Sequence, residues 1–531
     1  MMRIGLILAL LVSTQIPASS LAQSPAPFID VEGTDLSARF AAASARGGQD
    51  GRFWVAYAFP IRPGIAFDAT YIGTGRVVVF DGAAVAAPVD TGYAEVFLLY
   101  ENAGRALVRV EIYNVRRPRD YGGLPVYWLG RAPADQSLAV LRRLVNDASA
   151  SESAGRLVDA IGAHDLPVVA AVLRDVITAS STERARSAAV SWLGYWPGQT
   201  EFLAALVRSE RERTSVRHEA AESLRRAPDR DVLPLLQELY RTVTHREIRA
   251  ELLEGIADER FDASASTFLI QIASSEPDRQ LRRDALEGLG ERSDADSLRA
   301  LERAAHDPDV PLDLQNAAVE AIRERPEHEG VPLLKKIVES HPRAGVRRAA
   351  LEELAELPGQ LAFLTSLAGD RNRNVDLRLA AVEAIADAES SAAATTFQML
   401  LATADSNALK EGLIEAIADT PDPPAAILSL AAIVRDEADR DVRAEAVSAL
   451  GDIDDERAVE TLGQLYDSTK DEETRGEILE ALGDADGAAA IQKIISAARS
   501  DPSMAIRRHA IELLGESDDP VALTFLEGLL K

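Results

Sequence analysis

Nine glutamates recur at a regular interval along this chain, and their type and spacing suit them to bind basic groups. They are Glu222, Glu254, Glu287, Glu320, Glu352, Glu383, Glu415, Glu480 and Glu512. Carboxylates in a regular row create a negative field that attracts cationic partners. On helices that pack about 10 Å apart, the row would form a stripe roughly 80–90 Å long. We call this set the glutamate stripe and treat it as a candidate track for a basic partner.

A basic residue lies five positions before each stripe glutamate but one, and we call this second set the anchor column. It comprises Arg186, Arg217, Arg249, Arg282, Arg347, Arg378, Lys410, Arg443, Arg475 and Arg507, with Gln315 as the exception. Each glutamate could pair with the anchor of an adjacent unit, which would give an ion-pair ladder that sets the register of the repeat. We favour this structural ladder over the binding track. The two columns nearly cancel in charge, so the stripe alone is little evidence of binding.

A third column is acidic and lies nine residues past the anchor. Its members are Asp258, Glu291, Glu324, Glu356, Asp387, Asp419, Asp452, Asp484 and Glu516. They fall near a helix C-terminus, where a negative charge is mildly unfavourable. We interpret them as caps of the following helix. The alternative is a negative edge that attracts basic partners or divalent cations.

The spacing of the three columns predicts the secondary structure on which they lie. Successive anchors are 31–33 residues apart, a period typical of stacked helix pairs. In the clearest copy, Val442, Ala446 and Leu450 line one face of the second helix of a unit. Residues 132–531 are therefore predicted to form an α-solenoid of about twelve helix pairs, in a chain that is mostly α. Its concave face would be built from the second helices.

The region before the solenoid has a different composition. Residues 51–131 hold 14 of the 27 aromatic residues of the chain. Residues 53–59 alternate large and small side chains, as a half-buried strand should. We predict a small antiparallel β-domain here, either a sandwich or a half-open barrel. Its aromatic side chains could form a core or line a pocket, and the relevant ones are Phe53, Trp54, Tyr57, Tyr127 and Trp128.

The first residues have the pattern of a secretory signal peptide. Residues 1–22 contain a positive start at Arg3, an apolar run over residues 4–12 and small residues before a cleavage point. That run is too short to span a bilayer. Residues 23–50, rich in Ala, Ser, Pro and Gly, are predicted to be a flexible linker. From the signal peptide we expect a soluble periplasmic or secreted protein. The chain has no cysteine, so it forms no disulfides.

Net charge limits the possible partners. The formal charge of the chain is −28, and residues 132–531 alone carry −29. Such an acidic solenoid repels the phosphates of nucleic acid and anionic membrane surfaces. The composition therefore favours a protein or peptide partner that is basic or extended, and it argues against nucleic acid and against membrane insertion after signal cleavage.

The repeated phrase resembles a known family. Residues 442–452 read Val-Arg-x-x-Ala-x-x-Ala-Leu-Gly-Asp, and this phrase with its period is similar to the short HEAT-like repeats typified by phycobilin lyases. The resemblance covers residues 135–531 and implies a fold rather than one activity. HEAT-like families include scaffolds, transport adaptors, bilin lyases, a DNA glycosylase type and a di-iron hydroxylase.

One local match to the di-iron branch occurs at residues 216–219, which read Val-Arg-His-Glu. That branch, which resembles deoxyhypusine hydroxylase, has His-Glu pairs just after the anchor in four repeats. Here no other unit repeats the pair, and two metal ions need more ligands than one pair supplies. His218 is therefore expected to be a solvated or capping residue. The sequence indicates no catalytic residue, metal or cofactor.

These observations favour an exported, non-enzymatic scaffold that binds a protein or peptide on the concave face of the solenoid. Two alternatives stay open. An enzyme or ligand carrier would have its pocket in the β-domain, with the solenoid recruiting the substrate, and a lyase-type activity belongs here. A spacer of the cell envelope would have every stripe glutamate paired with an arginine. The positions of the aromatic rings and of the ion pairs distinguish these alternatives.

Overall fold

The computed structural model describes thirteen stretches of the chain. They are residues 28–49, 51–68, 71–74, 78–80, 83–85, 92–101, 106–114, 120–147, 151–180, 182–229, 232–388, 393–485 and 487–529. The predicted signal peptide, residues 1–22, lies outside them. The chain divides into two compact units, Met1–Gly255 and Ile256–Lys531. This division falls inside the helical region, whereas the sequence suggested a domain boundary near residue 132.

A five-stranded sheet opens the first unit. The described strands, with the helix after the first of them, are β1 (Phe28–Asp30), α1 (Leu36–Gly47), β2 (Phe53–Pro60), β3 (Ile65–Asp68), β4 (Tyr71–Thr74), β5 (Val78–Phe80), β6 (Ala83–Val85), β7 (Tyr93–Glu101), β8 (Ala106–Tyr113) and β9 (Val126–Arg131). The sheet has the order β1-β9-β2-β7-β8, and β3/β4 and β5/β6 are short separate ribbons.

The sheet is mixed rather than antiparallel. Strand β7 is antiparallel to β2 and to β8, as predicted. Strand β9, however, lies between β1 and β2 and is parallel to both. A hairpin leaves a turn signal in the sequence, whereas a parallel strand is reached by a longer connection without one. The antiparallel prediction therefore holds for β2, β7 and β8 and is wrong for β9.

Both faces of the sheet are covered. Strand β2 is buried throughout residues 53–59. On one face Trp54 packs edge-on against Phe97, with ring centroids 6.4 Å apart. On the other face Phe53 stacks on Tyr100 at 5.7 Å. Such pairs add to the free energy gained by burying the rings, so these aromatic residues form a core.

The prediction of a flexible linker over residues 23–50 was wrong for residues 28–47. Strand β1 extends the sheet beside β9. Helix α1 buries Leu36 and Phe40, and the Phe40 ring meets Tyr100 edge-on at 6.1 Å. The Ala- and Ser-rich composition hid these apolar residues, which have helical spacing and dock the helix onto the sheet.

The sheet also shares a core with the first helix pairs. Phe59 stacks on the buried His164, with ring centroids 4.6 Å apart. Phe67 stacks in the same way on Trp192 at 6.3 Å. Burial lowers the pKa of His164 to about 4, so the imidazole is neutral at physiological pH. The sheet is thus integrated into the first unit and is not a body on a tether.

Helices make up the rest of the described chain. They are α2 (Ala134–Asp147), α3 (Ser151–Gly162), α4 (Val169–Ala179), α5 (Glu183–Leu193), α6 (Thr200–Arg208), α7 (Thr214–Arg226), α8 (Val232–Thr242), α9 (Arg246–Ala257), α10 (Ala263–Ser275), α11 (Arg279–Gly290), α12 (Ala295–His306), α13 (Leu312–Arg323), α14 (Val331–Ser340), α15 (Ala344–Ala355), α16 (Leu361–Gly369), α17 (Val375–Asp387), α18 (Ala393–Leu401), α19 (Asn407–Ala418), α20 (Pro423–Asp436), α21 (Arg440–Gly451), α22 (Glu456–Ser468), α23 (Glu472–Asp484), α24 (Ala488–Ser500), α25 (Met504–Glu516) and α26 (Pro520–Leu529). They form twelve pairs and a last single helix, which confirms the predicted fold class. Within the described chain, no helix is long and apolar enough to cross a membrane.

Local chemistry fixes the ends and the spacing of these helices. Eight aspartates accept a hydrogen bond from the first turn of the helix that follows: Asp262, Asp278, Asp294, Asp422, Asp439, Asp455, Asp471 and Asp519. Each such cap typically contributes about 1 kcal/mol. None of the eight belongs to the third column, so the interpretation of that column as helix caps was wrong. Close packing is visible at Gly290, where a Cβ would lie 2.6 Å from the carbonyl oxygen of Ala321.

Candidate functional site

The anchor column stabilises the ends of the first helices. Arg217 Nε donates to the carbonyl oxygen of Val207 at 3.0 Å, and Arg378 Nε donates to that of Ala368 at 2.9 Å. The same kind of contact joins Arg282 to Ala273, Gln315 to Asp307, Arg347 to His341, Arg443 to Glu437 and Arg507 to Asp501. The last carbonyls of a helix have no partner within it and carry the negative end of its dipole. A cationic N–H donor pairs with these carbonyls and also offsets the negative end of the dipole.

Several anchors also bind a carboxylate in the turn of the next helix pair. Arg378 lies 2.7 Å from Asp405, and Lys410 lies 2.6 Å from Glu437. The same contact joins Arg186 to Glu212, Arg443 to Asp471 and Arg475 to Asp501. The hydrogen bond from Arg378 lowers the pKa of Asp405. The remaining anchor, Arg249, lies over the ring of Tyr240 at 4.2 Å.

The glutamate stripe pairs with other basic residues, so the predicted pairing with the anchors was wrong. Arg283, one residue past an anchor, lies 3.0 Å from Glu287 and 2.7 Å from Glu320 of the next second helix. The other pairs join Arg226 to Glu222, Arg225 to Glu254, Arg348 to Glu352 and Glu383, His509 to Glu480, and Arg508 to Glu512. We call Arg283 and Arg348 the bridging arginines.

No bridging arginine stands on α17 or α19, where the stripe continues with Glu383 and Glu415. At the position one past the anchor, α17 and α19 carry Leu379 and Glu411. The second helices α17, α19 and α21 form an open groove of about 430 Å³ here. No basic residue lines it, and its six carboxylates are Glu383, Asp387, Glu411, Glu415, Asp419 and Glu445. We call it the acidic groove.

The floor of the acidic groove is apolar. Leu379 and Val382 of α17 meet Ala408, Gly412 and Ala416 of α19 there. A Cβ at Gly412 would lie 2.5 Å from Leu379 Cδ2, so a larger residue there would push the leucine side chain out of its place across this helix. Small side chains keep the groove open between the two rows of carboxylates. The result is an apolar strip with negative charge on its sides.

The carboxylates of the acidic groove are largely without cationic partners. Among the described residues, only Glu383 makes an ion pair, with Arg348 at 2.7 Å. All except Glu411 are well exposed, and water shields them from one another. A cationic group that displaced this water would meet several carboxylates at once. The groove is therefore suited to recognising positive charge.

The sequence indicated part of this site. Glu383 and Glu415 belong to the glutamate stripe, and Asp387 and Asp419 belong to the third column. Glu411 and Glu445 were not singled out. The available signal was the residue just after the anchor, which is arginine at 283 and 348 but leucine or glutamate at 379 and 411.

The His-Glu match does not form a convergent site. His218 Nε2 lies 3.5 Å from Glu251, whereas Glu219 pairs with Arg226 at 3.2 Å. Burial raises the pKa of both Glu219 and Glu251. Among the residues that the structure describes, no group of three or more His, Asp or Glu side chains is placed to hold a metal ion. This includes the acidic groove, whose carboxylates are spread over three helices.

The aromatic residues of the sheet point inward. Phe53, Trp54, Tyr57 and Tyr127 are buried, and Trp128 packs against the core from its edge. Tyr57 is held there by the hydroxyl of Ser137, which donates to its phenolic oxygen at 3.3 Å. These five rings therefore belong to the core, and they give no support to a pocket in the β-domain.

Sequence comparisons identify the repeats. The model for HEAT repeats matches residues 266–355, 402–483, 427–502 and 468–531. The model for the PBS lyase HEAT-like repeat matches residues 216–242. These segments lie in both compact units and coincide with helix pairs of the structure. No curated protein matches the chain.

Solved structures with a similar chain path include three proteins. Human deoxyhypusine hydroxylase in complex with glycerol is 18% identical, with 48% of this chain and 96% of that chain covered and a TM-score of 0.22. Yeast importin-beta (Kap95p) is 13% identical, with 73% and 60% covered and a TM-score of 0.30. Kap121p bound to Ste12p is 16% identical, with 66% and 41% covered and a TM-score of 0.33.

This chain spans less than two thirds of Kap95p and of Kap121p. At such low identities and TM-scores, the three solved structures carry no argument about this chain. The helix pairs, the anchor contacts at the helix ends and the matched repeat models agree with one another. The chain is a HEAT-like repeat protein.

Proposed function

We propose that the protein is an exported, non-enzymatic scaffold that binds a basic, extended segment of a protein partner in the acidic groove. One observation carries the proposal: six carboxylates and no basic residue line the groove. Elsewhere most stripe glutamates are held by a neighbouring arginine. The groove is thus the part of the stripe where negative charge is left available to a partner.

The groove suits lysine and arginine side chains in two ways. Their aliphatic stems would cover the apolar floor at Leu379 and Val382, while their charged heads reach the carboxylates on the sides. Each exposed ion pair contributes only about 0.2–1 kcal/mol. A single basic side chain would therefore bind weakly, and useful affinity requires a segment that presents several of them.

The spacing of the carboxylates favours an extended segment that crosses the helices. Glu383 and Glu415 occupy equivalent positions on α17 and α19, and Asp387 and Asp419 repeat this relation one turn later. Packed helices lie about 8–10 Å apart. A polyproline II segment advances about 9.3 Å over three residues and returns its side chain to the same face. A basic residue at every third position would match this spacing.

The proposal of export is based on the signal peptide pattern of residues 1–22. The proposal of a non-enzymatic role is based on the aromatic rings of the sheet, which form a core and give no support to a pocket. N-terminal sequencing of the protein recovered from the envelope fraction tests the first proposal. Recovery in the cytoplasm with Met1 intact would contradict it.

Binding is tested with a labelled peptide that carries lysine at every third position, with fluorescence anisotropy as the measurement. E411Q/E415Q removes two charges from the groove and should weaken binding about fivefold, or about 1 kcal/mol. The matched control E287Q/E352Q removes two charges from glutamates that arginines already hold, and it should leave the dissociation constant within about twofold. Equal losses in both variants would show that only net charge attracts the peptide.

A further inference from the structure

A second cavity in the second unit lies among the first helices, apart from the acidic groove. It opens between α10 and α12 and has a volume of about 220 Å³. Leu286 and Leu289 of α11 and Leu314 of α13 line it, and all three are buried. The cavity therefore leads from the surface to the hydrophobic core of two neighbouring repeats.

Two arginines border this cavity, Arg282 and Arg303. Arg282 Nε donates to the carbonyl oxygen of Ala273 at 2.8 Å. Unlike the anchor Arg378, however, Arg282 has no carboxylate partner among the described residues. Arg303 is exposed and makes no ion pair within that part of the chain either. The single carboxylate of the lining is Asp307, so the cavity carries a net positive charge in an acidic protein.

We propose that this cavity binds a small amphiphilic carboxylate. Its alkyl chain lies on the leucines, and its carboxylate reaches the guanidinium groups of Arg282 and Arg303. At about 30 Å³ for each water-sized atom, the volume holds roughly seven non-hydrogen atoms, which is close to the size of hexanoate. Guanidinium binds carboxylate through two parallel N–H bonds, and an apolar wall disfavours strongly hydrated inorganic anions.

The proposal makes the affinity depend on chain length and on charge. Each CH₂ group buried in the cavity should strengthen binding about fourfold. Hexanoate should then bind roughly 16-fold more tightly than butyrate, which is two CH₂ groups shorter. Octanoate should gain little further, because the cavity is already full. Hexylamine has the same alkyl chain with the opposite charge, and the two arginines should exclude it.

The test is a saturation-transfer NMR titration of the full chain with these four compounds. R303Q removes one cation whose side chain makes no ion pair within the described residues, and A304L narrows the cavity from its lining. Both variants should weaken hexanoate binding at least about threefold. R299Q is the matched control, because Arg299 lies on the same helix, is exposed and pairs with Asp296 outside the cavity. It should leave hexanoate binding unchanged.

Several outcomes would overturn the proposal. They are the absence of hexanoate binding at millimolar concentration, equal binding of hexanoate and hexylamine, and hexanoate binding that survives both R303Q and A304L. Binding that fails equally in R299Q would also count against this cavity. Because the cavity and the acidic groove use different helices, failure here leaves the proposed peptide binding untouched.

Discussion

Two stretches of the second helices in the second unit carry the same glutamate stripe with opposite electrostatic character. Over α11–α15, Arg283 and Arg348 each hold a glutamate on their own helix and another on the next one. Over α17–α21, the equivalent positions carry Leu379 and Glu411, and an acidic groove results. The helices and the repeat are alike in both stretches. The difference lies in one surface position that the fold leaves free to vary.

This comparison separates the residues that build the repeat from those that give it a binding surface. The anchors lie at helix ends, where unsatisfied carbonyls require a donor in every unit. The bridging arginines lie on exposed helix faces, where an ion pair contributes little to folding. A repeat protein can therefore change its surface charge one unit at a time without losing the stacked helices.

The largest expected effect contrasts the two kinds of arginine. Arg378 is 4% exposed and holds both a helix-end carbonyl and Asp405. R378L should therefore lower the free energy of unfolding by about 2–3 kcal/mol. R348L removes only exposed pairs and should lower it by less than about 1 kcal/mol. Urea unfolding of the two variants measures the difference, and equal losses would mean that the bridging arginines are structural as well.

The second prediction transfers the arginine pattern into the acidic groove. L379R/E411R places cations where the bridging arginines stand in α11 and α15. Binding of the lysine peptide should weaken at least about tenfold, or about 1.4 kcal/mol, because the new arginines compete with the peptide. L428R/E460R makes the same change of charge on exposed first-helix positions and should have a much smaller effect. Peptide binding that persists in L379R/E411R would show that the groove is not the binding site.

The third prediction attempts the reverse change. R283L/R348L leaves Glu287, Glu320 and Glu352 without their arginines, and it also frees Glu383 of the acidic groove. The stretch over α11–α15 should therefore acquire a second, weaker peptide site. Calorimetry should then report two bound peptides for each chain in place of one. If the stoichiometry stays at one, the open floor around Gly412 is needed as well as the charge.

The smallest expected effect concerns pH. The hydrogen bond from Arg378 lowers the pKa of Asp405 in the folded protein. This carboxylate therefore stabilises the fold above its ordinary pKa of about 3.9 and loses that contribution as the pH falls through the lowered value. The stability difference between the natural protein and R378L should narrow in acid. A difference that stays constant from neutral pH to pH 3 would show that the carbonyl contact alone matters.

The helical part of the fold could be predicted because each unit repeats the same local sequence signals. The period of the anchors, the apolar face at Val442, Ala446 and Leu450, and the aspartate-rich turns all act over a few residues. The N-terminal sheet was harder to predict from the sequence. Strand β9 inserts beside β2 through contacts distant in sequence, and α1 is defined by where Phe40 docks rather than by its own composition.

The candidate site could be predicted only in part for the same reason. Sequence spacing placed Glu383 and Glu415 in one stripe, but it could not assign their partners. Arginine at the anchor and arginine one position later look alike in sequence, yet they diverge by about 100° around a helix. The anchor arginine therefore contacts a helix end, and the arginine one position later contacts the stripe glutamates.

The sequence by itself determined the repeat, its helix pairs and its negative charge, because periodicity and composition are local properties. Only the tertiary structure decided which carboxylates have an arginine and which line the acidic groove. It also decided that Leu379 lies across Gly412 to form the groove floor. These outcomes depend on which faces of neighbouring helices meet, and packing between units sets that arrangement.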